Sequence, residues 1–417
     1  MIDRQSNDAL LDLVQRRTLA YFWDFAHPVS GMARERSDPV AGYDYLDTVC
    51  SGGTGFGVMA LIAGAARGFL PRPAVLERIQ SIVSFLQRAE THYGVFPHFM
   101  HGATGAPIPF SKLDDGGDLV ETAFLMMGLL CTRQYFADAE EAPLRAAIDQ
   151  LWHAVDWDWH TRGRDVLYWH ASPRHGWALE HPISGWNECL ITYVLAAASP
   201  THPIAPAVYH SGWTNGATFR NGATYFGITL PLGPPKGGPL FFSHYSFLGL
   251  DPRNLCDRYA DYWRQCRAHT LINRAHCLGN PSGFAGYGET AWGLTACDGD
   301  AGYNAFCPDN DRGVIAPTAA LASMPYTPDE SMALLRHFCE DTNGALWGRY
   351  GLVDAFNVSK NWRAAGNLAI NQGPIVVMIE NYRSGLLWEL FMSCAEVQEG
   401  LRRLGFEFST QQATNVP

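Results

Sequence analysis

Four carboxylates fall within eight residues at Asp114-Asp115-Gly116-Gly117-Asp118-Leu119-Val120-Glu121. Asp118 and Glu121 stand three apart where an apolar run begins, so on a helix both lie near one face at its N-terminal end. One reading is a capping box, with Asp118 as cap and Glu121 reaching back. Four carboxylates exceed what capping needs, and their mutual repulsion raises some of their pKa values, which suits acid catalysis. A further carboxylate, Glu188 in Gly185-Trp186-Asn187-Glu188, directly precedes the apolar stretch Leu190-Ile191-Thr192-Tyr193-Val194-Leu195. A carboxyl at the mouth of an inner helix, with Trp186 and Cys189 beside it, is partly desolvated. Desolvation raises its pKa towards the value a glycosidase acid needs near neutral pH. The competing reading is a partner for the helix dipole; the flanking Trp186 and Asn187 favour chemistry.

Two more segments carry acidic and aromatic residues together. Asp354 is a lone carboxylate in Gly351-Leu352-Val353-Asp354-Ala355-Phe356-Asn357, and an Asp between Val and Ala needs a specific partner if it is buried. The Gly-rich loop Gly286-Tyr287-Gly288-Glu289-Thr290-Ala291-Trp292 suits sugars, whose C–H faces stack on rings while their hydroxyls bond to carboxylates. Other chemistries fit less well. Gly53-Thr54-Gly55-Phe56-Gly57 has neither the dinucleotide-binding spacing nor a P-loop lysine, and no Gly-x-Ser-x-Gly elbow occurs. The histidines show no ligand spacing, so neither a metal nor another cofactor is expected.

The elements that must hold these groups alternate in character. Asp8 to Phe25, with Asp8 as cap, Val75 to Ala89, Ala142 to Trp159, Asn254 to His269 and Pro328 to Cys339 read as amphipathic helices with one face in water. Nearly all-apolar runs follow Gly52, cover Leu119 to Tyr135 and Glu188 to Ala198, and recur at Ile315 to Ala322, Pro374 to Ile379 and Leu386 to Cys394; these belong inside. Strand-like stretches are short, at Thr224 to Leu230 and Leu240 to Phe242, so a large sheet is not expected. The pattern predicts an all-α fold: a closed ring of helix pairs forming one domain over residues 1–417, long cleft-forming loops at one end, and a flexible tail of about ten residues.

Composition narrows the function classes. A chain that is 47% hydrophobic and only 17% charged affords a large core. A formal net charge of -11 without a long Lys/Arg run argues against nucleic acid and against anionic membrane surfaces. The ten cysteines form no Cys-x-x-Cys pair, and several sit in apolar runs, which suits buried reduced thiols. No segment approaches the ~20 apolar residues needed to cross a bilayer. The first residues lead into an amphipathic run rather than an apolar signal core. The sequence as it stands is therefore expected in the cytoplasm, or in the periplasm if an export signal has been removed. Oligomeric state is left open.

The segments also occur in a telling order. Tyr21-Phe22-Trp23-Asp24-Phe25, Gly52 through Gly57, Asp114 through Glu121, Ser199-Pro200-Thr201-His202-Pro203 and Ser243-His244-Tyr245-Ser246 are followed by Tyr287-Gly288-Glu289, Gly313-Val314-Ile315-Ala316-Pro317, Asp354-Ala355-Phe356-Asn357 and Ile379-Glu380-Asn381-Tyr382-Arg383. Taken together they resemble the glycoamylase-like family, whose characterised relatives act on β-1,2-glucans, and the likeness runs nearly end to end. It implies an (α/α)6 toroid, a ring of six helix pairs, and hydrolysis of β-1,2-linked glucose chains, endo or exo. Glu188 matches the family's general acid and Asp354 its base, with Asp118 and Glu121 as further acidic cleft positions and alternative bases. Inverting hydrolysis is the expected mechanism. Expected substrate contacts are Asp115, Trp186, Asn187, Tyr287, Glu289 and Trp292, joined by His244, Tyr245, Gln372 and Glu380. A transglycosylase using the same site, or a sugar-binding relative without chemistry, are the rival readings.

Overall fold

Glycine and alanine let the inner helices of this protein approach until their backbones touch. The computed structural model describes residues 6–40, 43–342 and 344–408; the expected flexible tail lies outside them. The chain runs through α1 (Asn7–Asp24), α2 (Ser51–Ala66), α3 (Arg72–Leu86), α4 (Leu119–Tyr135), α5 (Ala142–Ala154) and α6 (Leu190–Ala198). It continues through α7 (Tyr262–Gly279), α8 (Pro317–Leu321), α9 (Pro328–Arg336), α10 (Ala369–Arg383), α11 (Leu386–Met392) and α12 (Ala395–Arg403). Strands among the described residues are two or three residues long and pair only in small antiparallel ladders.

Burial separates two populations. α2 is buried from Ser51 through Gly64, α4 from Leu119 through Thr132, and α6 along its whole length. α3, α5 and α9 bury one stripe each, for example Leu144, Ile148, Leu151 and Trp152 in α5. α2 packs against both α4 and α10, α4 against α6, and α8 against α10. The short helical stretch Ser246–Leu248 packs on α6 and α10. A methyl group at Gly55 would land on the carbonyl oxygen of Phe124, and one at Gly128 on that of Gly55, so α2 and α4 cross with main chain against main chain. Gly373 of α10 meets the Phe56 side chain in the same intimate way.

The inner helices begin at one end of the molecule. The Gly52 N–H in the first turn of α2 donates to Glu121 in the first turn of α4 at 2.7 Å. Gly53 lies against Ala369, the first residue of α10, and Thr318 in α8 donates to the Asn371 carbonyl at 2.8 Å. The Ser246 hydroxyl accepts from Ile191 N–H at 3.0 Å and itself donates to the Glu188 carbonyl, which ties in the start of α6. Loops joining outer to inner helices therefore converge above these starts.

Several boundaries differ from expectation, each for a local reason. The N-cap of α1 is Ser6, whose hydroxyl accepts from Ala9 N–H, and not Asp8. α7 starts at Tyr262 and not near Asn254, because Asp257 bonds the N–H groups of Tyr259 and Ala260 in a turn and Asp261 then caps the helix. Leu240–Ser243 is a 3-10 turn where a strand was expected; a short apolar run has no periodicity of its own to tell the two apart. α11 buries Leu387, Trp388 and Phe391 only, so it covers the core with one face and is not an inner helix. The ten cysteines are free thiols, seven of them buried. No helix among the described residues is long and apolar enough to cross a membrane.

Candidate active site

A cavity of about 390 Å³ opens over the converging helix starts, walled by Glu121 and Phe124 of α4, Gly53 of α2, Glu188, Phe241, Tyr245 and Ile370 of α10. Glu121 is its best-anchored acid. One carboxylate oxygen accepts the Gly52 N–H at 2.7 Å and the other lies 3.9 Å from His98 Nε2. Burial, more than the neighbouring Asp118 charge, pushes its pKa up. Asp118 is the N-cap of α4 as expected: Oδ1 accepts from Val120 and Glu121 N–H at 3.0 and 2.9 Å. Its other oxygen meets His98 Nδ1 at 3.1 Å and the Trp169 indole N–H at 3.2 Å. The reciprocal half of a capping box is missing, because the Asp118 N–H donates to the Phe96 carbonyl while Glu121 turns to Gly52. Asp118 is 1% exposed with its acceptors taken, so it organises the site from behind the wall.

His98 is the positive centre of this cluster. Burial works against its charge, but Glu121 and Asp118 outweigh that and lift its pKa to about 9. Its ring stacks on Phe110, 4.6 Å between centroids.

Glu188 faces the cavity from the residue before the Cys189 N-cap of α6. Among the described residues its carboxyl has no hydrogen-bond partner outside its own main chain. Burial first, then the Asp118 and Glu121 charges, raise its pKa to about 7. Asn187 supports the turn beneath it, its side-chain oxygen accepting the Cys189 N–H at 3.0 Å. The turn leading into α6 thus places a carboxyl with a raised pKa at the edge of the cavity.

Asp354 is buried, 3% exposed, just outside the wall. It accepts from the Asp298 N–H at 2.9 Å and from the Asn371 amide at 2.8 Å. Burial leads and Asp298 adds, holding its pKa at about 7 against those two bonds. Asp298 faces Arg36 at 3.4 Å, and Arg36, itself a wall residue, also binds Glu35 at 2.9 Å.

Of the expected sugar contacts, Tyr245 lines the cavity, stacked on Phe241 at 5.0 Å. The others stand elsewhere, for reasons the packing makes plain. Trp186 is 2% exposed and wedged between Trp213 and Tyr262, and Trp292 is wholly buried; both are core. His244 bonds the Ser323 hydroxyl at 2.9 Å, with its pKa driven by burial to about 3, a neutral core histidine. Asp115 accepts the Ser172 hydroxyl and lies 3.7 Å from Arg174. The Tyr287 hydroxyl donates to Asp311 at 2.6 Å, and Glu289 is exposed on its loop outside the cavity lining. Gln372 is buried against the Tyr350 carbonyl. Glu380 lies eleven residues beyond Ala369 along α10, about 16 Å from the cavity end of the helix. There it binds Arg67 at 2.7 and 3.1 Å and accepts from Ser384 at 2.6 Å.

Wall residues unforeseen in the sequence include Glu35, Arg36, Tyr43, His98, Phe110, Trp169 and Tyr303. A signal existed for the first two. Arg34-Glu35-Arg36-Ser37-Asp38 is a charged knot in a chain with few charges.

The glycoamylase family, described as "Putative glucoamylase", matches residues 180–395. A solved structure of the same description from Bacteroides uniformis is 56% identical, with a TM-score of 0.95 over 97% of this chain and 99% of its own. This chain belongs to the glycoamylase family. A second solved structure, an endo-β-1,2-glucanase from Chitinophaga pinensis, is 52% identical with a TM-score of 0.94 over 97% of this chain and 99% of its own. The exo-β-1,2-glucooligosaccharide sophorohydrolase of Parabacteroides distasonis is 44% identical over 96% of this chain, which spans 58% of that relative's length. Within the glycoamylase match lie Glu188, Tyr245, Tyr303 and Asp354, whereas Glu35, His98, Asp118 and Glu121 precede it.

Proposed function

We propose that this chain is a glycoside hydrolase acting on β-1,2-linked glucose chains and sophoro-oligosaccharides. It is read as one catalytic domain whose helices close into an (α/α)6 ring. The observation that carries this reading is the Glu188 carboxyl, bonded by no other side chain among the described residues, its pKa raised to about 7 by burial, at the wall of a cavity of carboxylates and aromatic rings. Glu188 gives its proton to the glycosidic oxygen as the bond to the anomeric carbon breaks. A water attacks that carbon from the opposite face, and its proton passes to Asp354, whose burial behind the wall calls for intervening water. The Glu121–Asp118–His98 cluster stands beside the forming oxocarbenium ion, where carboxylate oxygens offset its positive charge. Similarity to the Chitinophaga and Parabacteroides enzymes supports the linkage.

The test is incubation with linear β-1,2-glucan, following products by chromatography and their anomeric configuration by NMR. Shorter β-1,2-glucans with inverted configuration are expected: one disaccharide for exo action, a ladder for endo action. Products longer than the substrate would mean transfer, retained configuration would sink inversion, and an untouched substrate would sink the linkage.

A further inference from the structure

The cavity wall nearest Asp354 is a small hairpin. Ala296–Cys297 pairs with Asn304–Ala305, with Cys297 opposite Asn304. Its turn is closed by the Gly302 N–H donating to the Gly299 carbonyl at 3.0 Å, and Gly302 takes φ +108, a conformation that favours glycine. The next residue, Tyr303, is delivered to the cavity. One direct bond and one bridge through Asn371 fasten the hairpin to Asp354. The Asp298 N–H donates to Asp354 Oδ2, and the Asn371 amide donates both to Asp354 Oδ1 and to the Ala296 carbonyl, the latter at 3.1 Å. On the cavity side of that wall stand Ala296, Tyr303 and Ile370, the neighbour of Asn371. Asp354 and the cavity are thus separated by one thin layer, and Tyr303 is the side chain in it with a polar end.

Tyr303 is divided in its exposure. The residue as a whole is 54% exposed, unusual for an aromatic ring held by a hairpin. The residue lines the cavity, where desolvation and then the nearby Asp354 charge raise the pKa of its hydroxyl. That hydroxyl has no hydrogen-bond partner among the described residues. An exposed ring beside an unengaged phenol fits a sugar face on one side and an ordered water on the other.

We propose that Tyr303 is the positioning residue of the hydrolytic step: its hydroxyl orders the water chain linking the cavity to Asp354, and its ring is a stacking face for the glucose unit. The proposal rests on the β-1,2-glucanase reading. In the step, the new bond forms between the water oxygen and the anomeric carbon while the glycosidic C–O bond breaks. The leaving oxygen takes the Glu188 proton, and the water's proton travels through intervening water to Asp354. Tyr303 keeps its own proton and fixes the direction of transfer.

The test compares Tyr303→Phe and Tyr303→Leu with wild type on linear β-1,2-glucan. Tyr303→Phe keeps the ring and is expected to lose roughly tenfold or more in kcat with KM within about twofold. Tyr303→Leu is expected to lose kcat similarly and to raise KM several-fold as well. Thermal midpoints close to wild type accompany both, because the ring is not core. A Phe variant with kcat within about twofold of wild type, or one changed in KM alone, overturns the proposal. Wild type inert on the glucan overturns the substrate reading together with it; active wild type beside an equally active Phe variant overturns the proposal alone.

Discussion

Replacing Glu188 by Gln removes the acid and keeps its shape, and the structure predicts opposite effects on activity and stability. A carboxyl held at about 7 instead of 4.5 keeps its proton in the folded state while the unfolded chain has lost it. Between those two values the native state binds more protons, so stability falls as pH rises, and above about 7 the cost is complete. In full the difference corresponds to about 3 kcal/mol, and the half-buried setting of the carboxyl at the cavity cuts this to about 1–2 kcal/mol. Gln carries no such cost. The variant and wild type should therefore unfold together near pH 4, and by pH 8 the variant should be the more stable by about 1–2 °C in thermal midpoint, small because unfolding entropy scales with chain length. Turnover should fall by a factor of about 10² to 10⁴ at the optimum. Wild-type kcat/KM should decline above pH 7 as Glu188 loses its proton. Scanning calorimetry across pH, beside product release, reads both effects. A midpoint difference independent of pH, or turnover within tenfold of wild type, would refute the account of Glu188 as a desolvated acid.

Two further substitutions probe the scaffold. Gly55→Ala drives a methyl into the Phe124 carbonyl at the crossing of α2 and α4, where neither backbone can yield freely; a loss of about 1–3 kcal/mol is expected in chemical denaturation, and an unchanged midpoint would mean the helices separate without cost. Glu380→Gln leaves Arg67 without its carboxylate at the far end of α10. It should destabilise by about 2–3 kcal/mol while kcat and KM stay within experimental scatter; a specific loss of turnover would restore Glu380 to the site.

How far the sequence reveals this molecule depends on the kind of order involved. Leu119–Tyr135 is read to the residue, with Asp118 as its cap, because a strongly apolar run and a capping side chain are both local signals. Glu188 and Glu121 are found for the same reason: each sits where such a run begins. The sugar contacts fare worse. Trp186, Trp292 and His244 sit beside chemically suggestive residues, yet whether a ring meets sugar or core depends on which side of its element faces the cavity, and short irregular loops give no period from which to tell. His98, Phe110 and Tyr303 come from loops whose partners are far away in the chain, so no local pattern announces them. The Asp354 pairing with Asn371 and the Asp298 main chain is likewise invisible until the hairpin is folded against α10.

Because the inner helices begin at the same end, the candidate active groups stand at the junctions where linkers meet pillars. Glu188 stands one residue before the Cys189 N-cap of α6, Glu121 is in the first turn of α4, and Ile370 and Asn371 open α10, while the close-packed glycine seam lies further down. Cavity lining and mechanical frame are therefore built from separate residues. Lengthening the linker that carries Phe110, or the tip that carries Tyr303, is expected to reshape the cavity rim without disturbing the crossing at Gly55 and Gly128. A frame of this kind can host both chain-end and mid-chain cutters, with their difference written in the rim.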